Sequence, residues 1–275
     1  MKNIAFSFMF AVVALLAVAS PAQAELRVVV GGEKADPLPI AIPAFVTASG
    51  AADEMGTNMA NVITNNLKRS GLFRPLNPAS FIQPAAAAAQ KPNFGEWRTV
   101  NAEALVTGIL AKTPDGKTRV EFQLFDVFGG QRMVGKAFTT VSNNWRRTAH
   151  IISDEIYKTL TGENGYFDTR IVYISETGPG NARVKRLAIM DQDGFNHRYL
   201  TDGSALVLTP RFSPTMQQIT YMAYYNNKPR VYLYDINSGR QSVLGDFPGM
   251  TFAPRFSPDG RKVVMSLSKN GNSDI

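Results

Sequence analysis

Apolar residues recur along this chain with two different periods, and the change from one to the other divides it. Between residue 25 and about residue 161 helical and alternating patterns mix, whereas after Asp168 only short alternating runs and turns remain. Met55, Met59, Val62, Ile63 and Leu67 fall at the spacing of a single helix face. Asp53 is placed to cap that helix and Gly71 to end it. Trp145, Ala149, Ile152, Ile156 and Leu160 define a second face, opened by Asn144 and closed by Gly162. Between the helices, Val120, Phe122 and Leu124 alternate with Arg119, Glu121 and Gln123, as a strand with one buried face requires. This predicts strands over 105–111, 118–126 and 132–140, joined by turns at Pro114-Asp115-Gly116 and Gly129-Gly130. Residues 26–30 are β-prone and end at Gly31-Gly32, 40–45 read as a further strand, and the alanine-rich 84–92 reads as a loop or short helix. Two helices on a small mixed sheet make an α/β domain of ordinary size.

The second texture carries a repeat. Pro210-Arg211-Phe212-Ser213-Pro214 returns 44 residues later as Pro254-Arg255-Phe256-Ser257-Pro258. That spacing is within the roughly 40–50 residues of a β-propeller blade. Strands are expected at 170–175, 185–191 and 197–200 in a first unit that lacks an obvious innermost strand. A second unit takes 207–212, 218–224, 230–235 and 240–244, with Asn237-Ser238-Gly239 as the hairpin turn of its last pair. A third begins at 253–256, turns at Ser257-Pro258-Asp259-Gly260 and continues at 262–267. About two and a half blades are visible where rings need roughly four to eight. The expectation is therefore the front part of a longer protein, whose later segment closes the ring and removes exposed sheet edges.

The first residues read as a secretory signal. Lys2 supplies the positive charge, 4–18 is largely apolar, Pro21 breaks the run, and Ala22-Gln23-Ala24 offers the small residues of a cleavage site. Cleavage after Ala24 leaves Glu25 at the N-terminus; the apolar run is shorter than the roughly 20 residues of a spanning helix. The absence of cysteine excludes disulfides, thiolate metal sites and a cysteine nucleophile. A formal charge of +7 points toward acidic partners or an anionic surface. The basic doublets Lys68-Arg69, Arg146-Arg147 and Lys185-Arg186 are isolated, which argues against nucleic acid.

Catalytic signals are weak. No Gly-x-Ser-x-Gly elbow occurs, and the two histidines, His150 and His197, read as structural. Asp191-Gln192-Asp193-Gly194-Phe195-Asn196 resembles a calcium loop. However, Ile189 and Leu200 then fall at its first and twelfth positions, where oxygen ligands belong, and a hairpin turn explains Asp-Gly equally well. Gly178-Pro179-Gly180 opens no helix and is no phosphate loop. No metal or cofactor is expected, and the balance favours recognition over catalysis. The competing readings are an exported propeller serine hydrolase whose catalytic part lies beyond residue 275 and, more weakly, a glycan-binding propeller.

Taken together, the signal ending Ala22-Gln23-Ala24, the β-prone 25–30, the two-helix α/β domain and the Pro-Arg-Phe-Ser-Pro repeats resemble the TolB family of the Tol–Pal cell-envelope system. Met190-Asp191-x-Asp193-Gly194-x-Asn196 followed by Leu200-Thr201-Asp202-Gly203 adds to the resemblance. It implies a signal peptide over 1–24, an α/β domain over 25–162 and the opening repeats of a six-bladed WD40-like propeller over 163–275. It also implies a non-enzymatic, monomeric periplasmic protein without cofactors. Such a protein binds the inner-membrane protein TolA and the lipoprotein Pal, supports outer-membrane integrity and constriction in division, and in some species is exploited by bacteriocins for import. Other outer-membrane proteins are further implied partners. Carried over by position, the TolA-binding segment is Glu25, Leu26, Arg27, Val28, Val29 and Val30. An extended β-branched segment next to a glycine hinge can add as a strand to a partner's sheet edge; alternatively it is an edge strand of its own domain. Both hold if TolA captures the segment when it detaches. For Pal, the implied contacts are the loops 203–209 and 249–253, above all Met250, Thr251, Phe252 and Ala253, with packing between blades as the alternative for Phe252. Arg211 and Arg255 read as structural.

Overall fold

The alternation at 118–126 becomes an interior strand of a mixed sheet. The computed structural model describes residues 26–28, 36–245, 247 and 249–275; the expected signal peptide and its cleavage site lie outside them. The chain divides into two compact units, one ending at Phe167 and one beginning at Asp168.

The first unit contains β1 (Leu38–Ala41), β2 (Val46–Thr47), α1 (Glu54–Arg69), β3 (Phe73–Pro75), α2 (Ala85–Gln90) and α3 (Phe94–Thr99). These are followed by β4 (Ala104–Lys112), β5 (Thr118–Asp126), β6 (Gln131–Thr140) and α4 (Trp145–Thr161). The sheet runs β3-β1-β4-β5-β6, with β2 also paired to β4. Pairings among β1 to β4 are parallel, and β4-β5-β6 is an antiparallel meander. Period-two alternation sorts the side chains. Val106, Leu110, Val120, Phe122 and Leu124 face Met59, Ile63 and Leu67 of α1 and Ile152, Ile156 and Leu160 of α4. Leu105 and Phe125 face the other way, toward Ala88 of α2 and Trp97 of α3.

Both long helices follow the predicted faces. Asp53 caps α1, its Oδ1 accepting from the Gly56 N–H at 2.9 Å. Gly71 follows with φ +76° and Gly162 ends α4 with φ +80°, the left-handed conformation a glycine adopts without strain. Asn144 occupies the N-cap position of α4 but makes no side-chain cap bond. The strand expected over 40–45 is broken: β1 stops at Ala41 and β2 starts at Val46. Pro43 lies between them and has no N–H to give to a ladder.

The second unit consists of three antiparallel sheets. The first is β7 (Arg170–Thr177), β8 (Val184–Asp191) and β9 (Arg198–Tyr199). The second is β10 (Leu206–Phe212), β11 (Gln218–Tyr225), β12 (Lys228–Asp235) and β13 (Gln241–Val243). The third is β14 (Met250–Phe256), β15 (Val263–Lys269) and β16 (Asn272–Asp274). They stack face to face as propeller blades. Leu187 and Ile189 of the first join Val207, Ile219 and Tyr221 of the second in a common core. β10 packs on β7 and β8, and β14 on β10, β11 and β12. The fold class is therefore an α/β domain followed by all-β propeller blades.

Aspartates close the turns of these blades. Asp235 Oδ1 accepts from the Ser238 N–H and hydroxyl at 2.8 Å each. Asp202 Oδ1 accepts from the N–H and hydroxyl of Ser204 at 2.9 and 2.7 Å. The Ser238 and Ser204 N–H groups, with their hydroxyls next, hold these two carboxyls below the usual range; for Asp259 the Ser257 hydroxyl comes first. A depressed folded pKa means stability that is present above the unfolded value, about 3.9, and lost as pH falls through the folded one. Asp235→Ala is thus expected to lower the urea midpoint at neutral pH, and the gap to the native chain should close as the pH is brought well below about 4.

Candidate functional site

Of the six residues expected to meet TolA, Leu26, Arg27 and Val28 are described; Glu25, Val29 and Val30 lie outside the described residues. Over 26–28 the segment joins no sheet, contrary to the strand its composition predicts. It is instead held by α4. The Val28 N–H donates to the Leu160 carbonyl at 2.7 Å. That carbonyl belongs to the last turn of the helix, where acceptors have no intrahelical donor. Leu26 and Val28 are half-buried against the core formed by α1, α4 and the sheet. Arg27 points outward, and its guanidinium lies so close to Gly162 that a Cβ there would come within 2.5 Å of Nη2. The in-out-in pattern of a strand is retained, but it is read by a helix end and a core rather than by a neighbouring strand.

The residues expected to meet Pal are placed differently from their prediction. Met250, Thr251, Phe252 and Ala253 are not loop residues but the first half of β14. Met250 is paired with Ser268, Thr251 with Leu267 and Phe252 with Ser266. Thr251 is fully buried, and its Oγ1 accepts from the Val231 N–H of the preceding blade at 2.9 Å. It is a blade-to-blade tie and not a contact surface. Met250 and Phe252 are half-buried, while Ala253 is exposed at φ +51°. Arg230, which the sequence reading did not single out, donates to the carbonyls of Gly249 and, at 3.0 Å, of Pro229, and so fixes the entry to β14. Nothing in its mid-strand position signals that role. Thr251→Val keeps the shape but leaves a buried N–H without its acceptor. A loss of about 1–3 kcal/mol in urea unfolding of the second unit is expected, with Thr251→Ser retaining most of the stability.

The two histidines lie in packed surroundings. His197 rests on Tyr199 and Tyr173, with ring centroids 4.8 and 5.9 Å away. His150 is buried and its Nδ1 meets Asn66 Nδ2 at 2.9 Å. The same Asn66 amide donates to Ser153, whose hydroxyl donates to the Ala149 carbonyl at 2.9 Å, so this serine is tied into the interior of its helix. Asp191-Gln192-Asp193-Gly194 forms a turn after β8, closed by the Gly194 N–H on the Asp191 carbonyl at 2.9 Å. Among the described residues no helix is long and apolar enough to cross a membrane.

Comparison with known proteins matches both units. Residues 26–133 fit the family model of the TolB amino-terminal domain and residues 157–275 that of the TolB beta propeller domain. The crystal structure of TolB from Acinetobacter baumannii is 28% identical, with a TM-score of 0.75 over 90% of this chain. The chain spans 59% of that protein's length. A putative TolB from Agrobacterium tumefaciens (17% identity, 61% of this chain and 54% of that one, TM-score 0.32) is too distant in structure to bear on it. So is the LpoB C-terminal domain from Salmonella enterica (15% identity, 41% and 87%, TM-score 0.29).

Proposed function

This chain belongs to the TolB family, and from that premise we propose that it is a non-enzymatic periplasmic adaptor of the Tol–Pal system. After removal of residues 1–24, an α/β domain (25–162) presents the N-terminal segment to TolA. The propeller repeats (163–275) belong to the part that meets Pal. The adaptor supports outer-membrane integrity and constriction in division, acts as a monomer and uses no cofactor.

The observation that carries this reading is how Leu26–Val28 is held. A segment with the in-out-in pattern of a strand is docked by one main-chain hydrogen bond and two half-buried side chains. One such bond is worth roughly 0.5–1.5 kcal/mol. Full burial of a Leu or Val gives about 1.5–3 kcal/mol, and partial burial less. A few kcal/mol in total is a sum that a partner's sheet edge can exceed, because it offers several main-chain bonds at once. The residues that dock inward would become the inward face of the added strand.

A synthetic peptide of residues 25–33, titrated by calorimetry into the TolA C-terminal domain, tests this reading. Saturable binding that the full chain competes away is expected. A peptide that does not bind, while the full chain does, would move the TolA contact elsewhere.

A further inference from the structure

The propeller sheets repeat an irregularity as well as a sequence. Between β10 and β11, Leu208 pairs with Met222 and then Arg211 with Thr220. Between β14 and β15, Phe252 pairs with Ser266 and then Arg255 with Val264. Each first strand spends three residues where its neighbour spends two, which is a β-bulge. The bulged residues, Thr209 and Ala253, have φ of +48° and +51°, and each precedes a proline.

The bulge decides where the arginine goes. Side chains alternate between the faces of a strand, so one extra residue sends every later side chain to the opposite face. In an unbroken register Arg211 would stand opposite Ile219 and enter the core shared with the first blade. The bulge puts Phe212 there and brings Arg211 opposite Thr220. Thr220 is fully buried, whereas Arg211 across from it stays exposed. β14 packs on β10, β11 and β12 of the second sheet, and the Arg211 side chain nevertheless stays at the surface. β10 and β14 are end strands of their sheets, and each packs on the preceding blade, which places both arginines at the edge we take as the inner one of the propeller.

Among the described residues neither arginine has an acidic partner. The Arg211 side chain makes no hydrogen bond or ion pair with any of them, and the Arg255 guanidinium donates only to the carbonyl of its neighbour Pro254, at 3.0 Å. The Thr220 hydroxyl, buried on the Arg211 face, has no hydrogen-bond partner among them either. A guanidinium offers a planar fork that matches a carboxylate. We infer that the inner edge of the propeller binds an acidic peptide segment, its carboxylates taken by Arg211 and Arg255, one from each successive blade. The formal charge of +7 on the chain favours such a ligand over a basic one. This goes beyond the adaptor reading and holds whether or not TolA binds the N-terminal segment.

Fluorescence anisotropy of a dye-labelled hexaglutamate peptide, titrated with the full chain, is the test. Saturable binding is expected, with none for hexaglutamine. Arg211→Gln with Arg255→Gln should weaken it at least about tenfold, and the double lysine variant, which keeps the charge but loses the fork, should fall between. Arg198→Gln with Arg240→Gln removes equal charge at or beside β9 and β13, the strands at the opposite ends of their sheets, and should change affinity less than about twofold. Equal losses in the two double glutamine variants would reduce the effect to net charge and overturn the inference, as would absence of hexaglutamate binding by the native chain. Urea midpoints of all variants distinguish lost binding from lost folding. If the glutamine variants unfold, the folded lysine variant takes their place: weakened binding supports the inference, and native affinity overturns it.

Discussion

Phe45→Ala is expected to remove about 3–5 kcal/mol from the first unit, the range for deleting a fully buried aromatic side chain. Phe45 is inaccessible to solvent between β1 and β2, and its ring lies flat on Gly108 of β4. A Cβ at Gly108 would come within 2.3 Å of that ring, and a Cβ at Gly56 of α1 within 2.1 Å of the Phe45 carbonyl oxygen. The two glycines make a slot between helix and strand that fits this residue, and the Phe45 N–H closes it by donating to the Gly56 carbonyl at 3.3 Å. Neither glycine has positive φ, so their substitution costs space and not backbone strain. Gly108→Ala should therefore cost about 1–3 kcal/mol by overpacking. Added to Phe45→Ala it should cost much less, because the room is then vacant, and this coupling distinguishes the slot from two independent defects. Both tryptophans, Trp97 and Trp145, lie in the first unit, so intrinsic fluorescence in urea reads it selectively.

The second large effect concerns the N-terminal segment. Leu26→Asp combined with Val28→Asp should weaken TolA binding roughly a hundredfold, the equivalent of about 2.7 kcal/mol. Both side chains form the inward face of the segment, and a carboxylate in either place would be taken out of water when a sheet edge is covered. The same pair should lower the stability of the first unit by no more than the few kcal/mol that docking of the segment contributes, and leave it folded, since these side chains are half-buried at its margin. Arg27→Ala, on the exposed side, should leave the fold intact and change TolA affinity much less. A merely structural role for the segment would give the reverse order, a large stability loss with binding retained.

What could be read from the sequence follows from element length and from local competition. The two amphipathic helices are 16 and 17 residues long, enough turns to establish a 3.6-residue period. β5 is legible to the residue because its alternation is unbroken from Thr118 to Leu124. α3 was missed although it carries the buried Trp97, since six residues hold too little periodicity. The three-residue β3 and β16 escaped for the same reason. β14 begins at Met250, three residues before the strand expected from 253, although Gly249 and Pro254 flank that stretch. The ladder from Met250 to Phe256 overrides both, and it accommodates the proline through a bulge that no propensity predicts for the residue before it. That error made Thr251 look like a contact when it is a tie between blades. At the other end, β-branched residues made 26–30 read as a strand. Over Leu26–Val28 the helix end at Leu160 takes the main-chain bond that a sheet would have taken.

The most direct test of the adaptor account compares the TolA C-terminal domain binding to the chain beginning at Glu25 with its binding to a chain beginning at Lys34. The account predicts saturable binding by the first and none by the second, with both showing the same folded signal from Trp97 and Trp145. Equal binding by the two would contradict it.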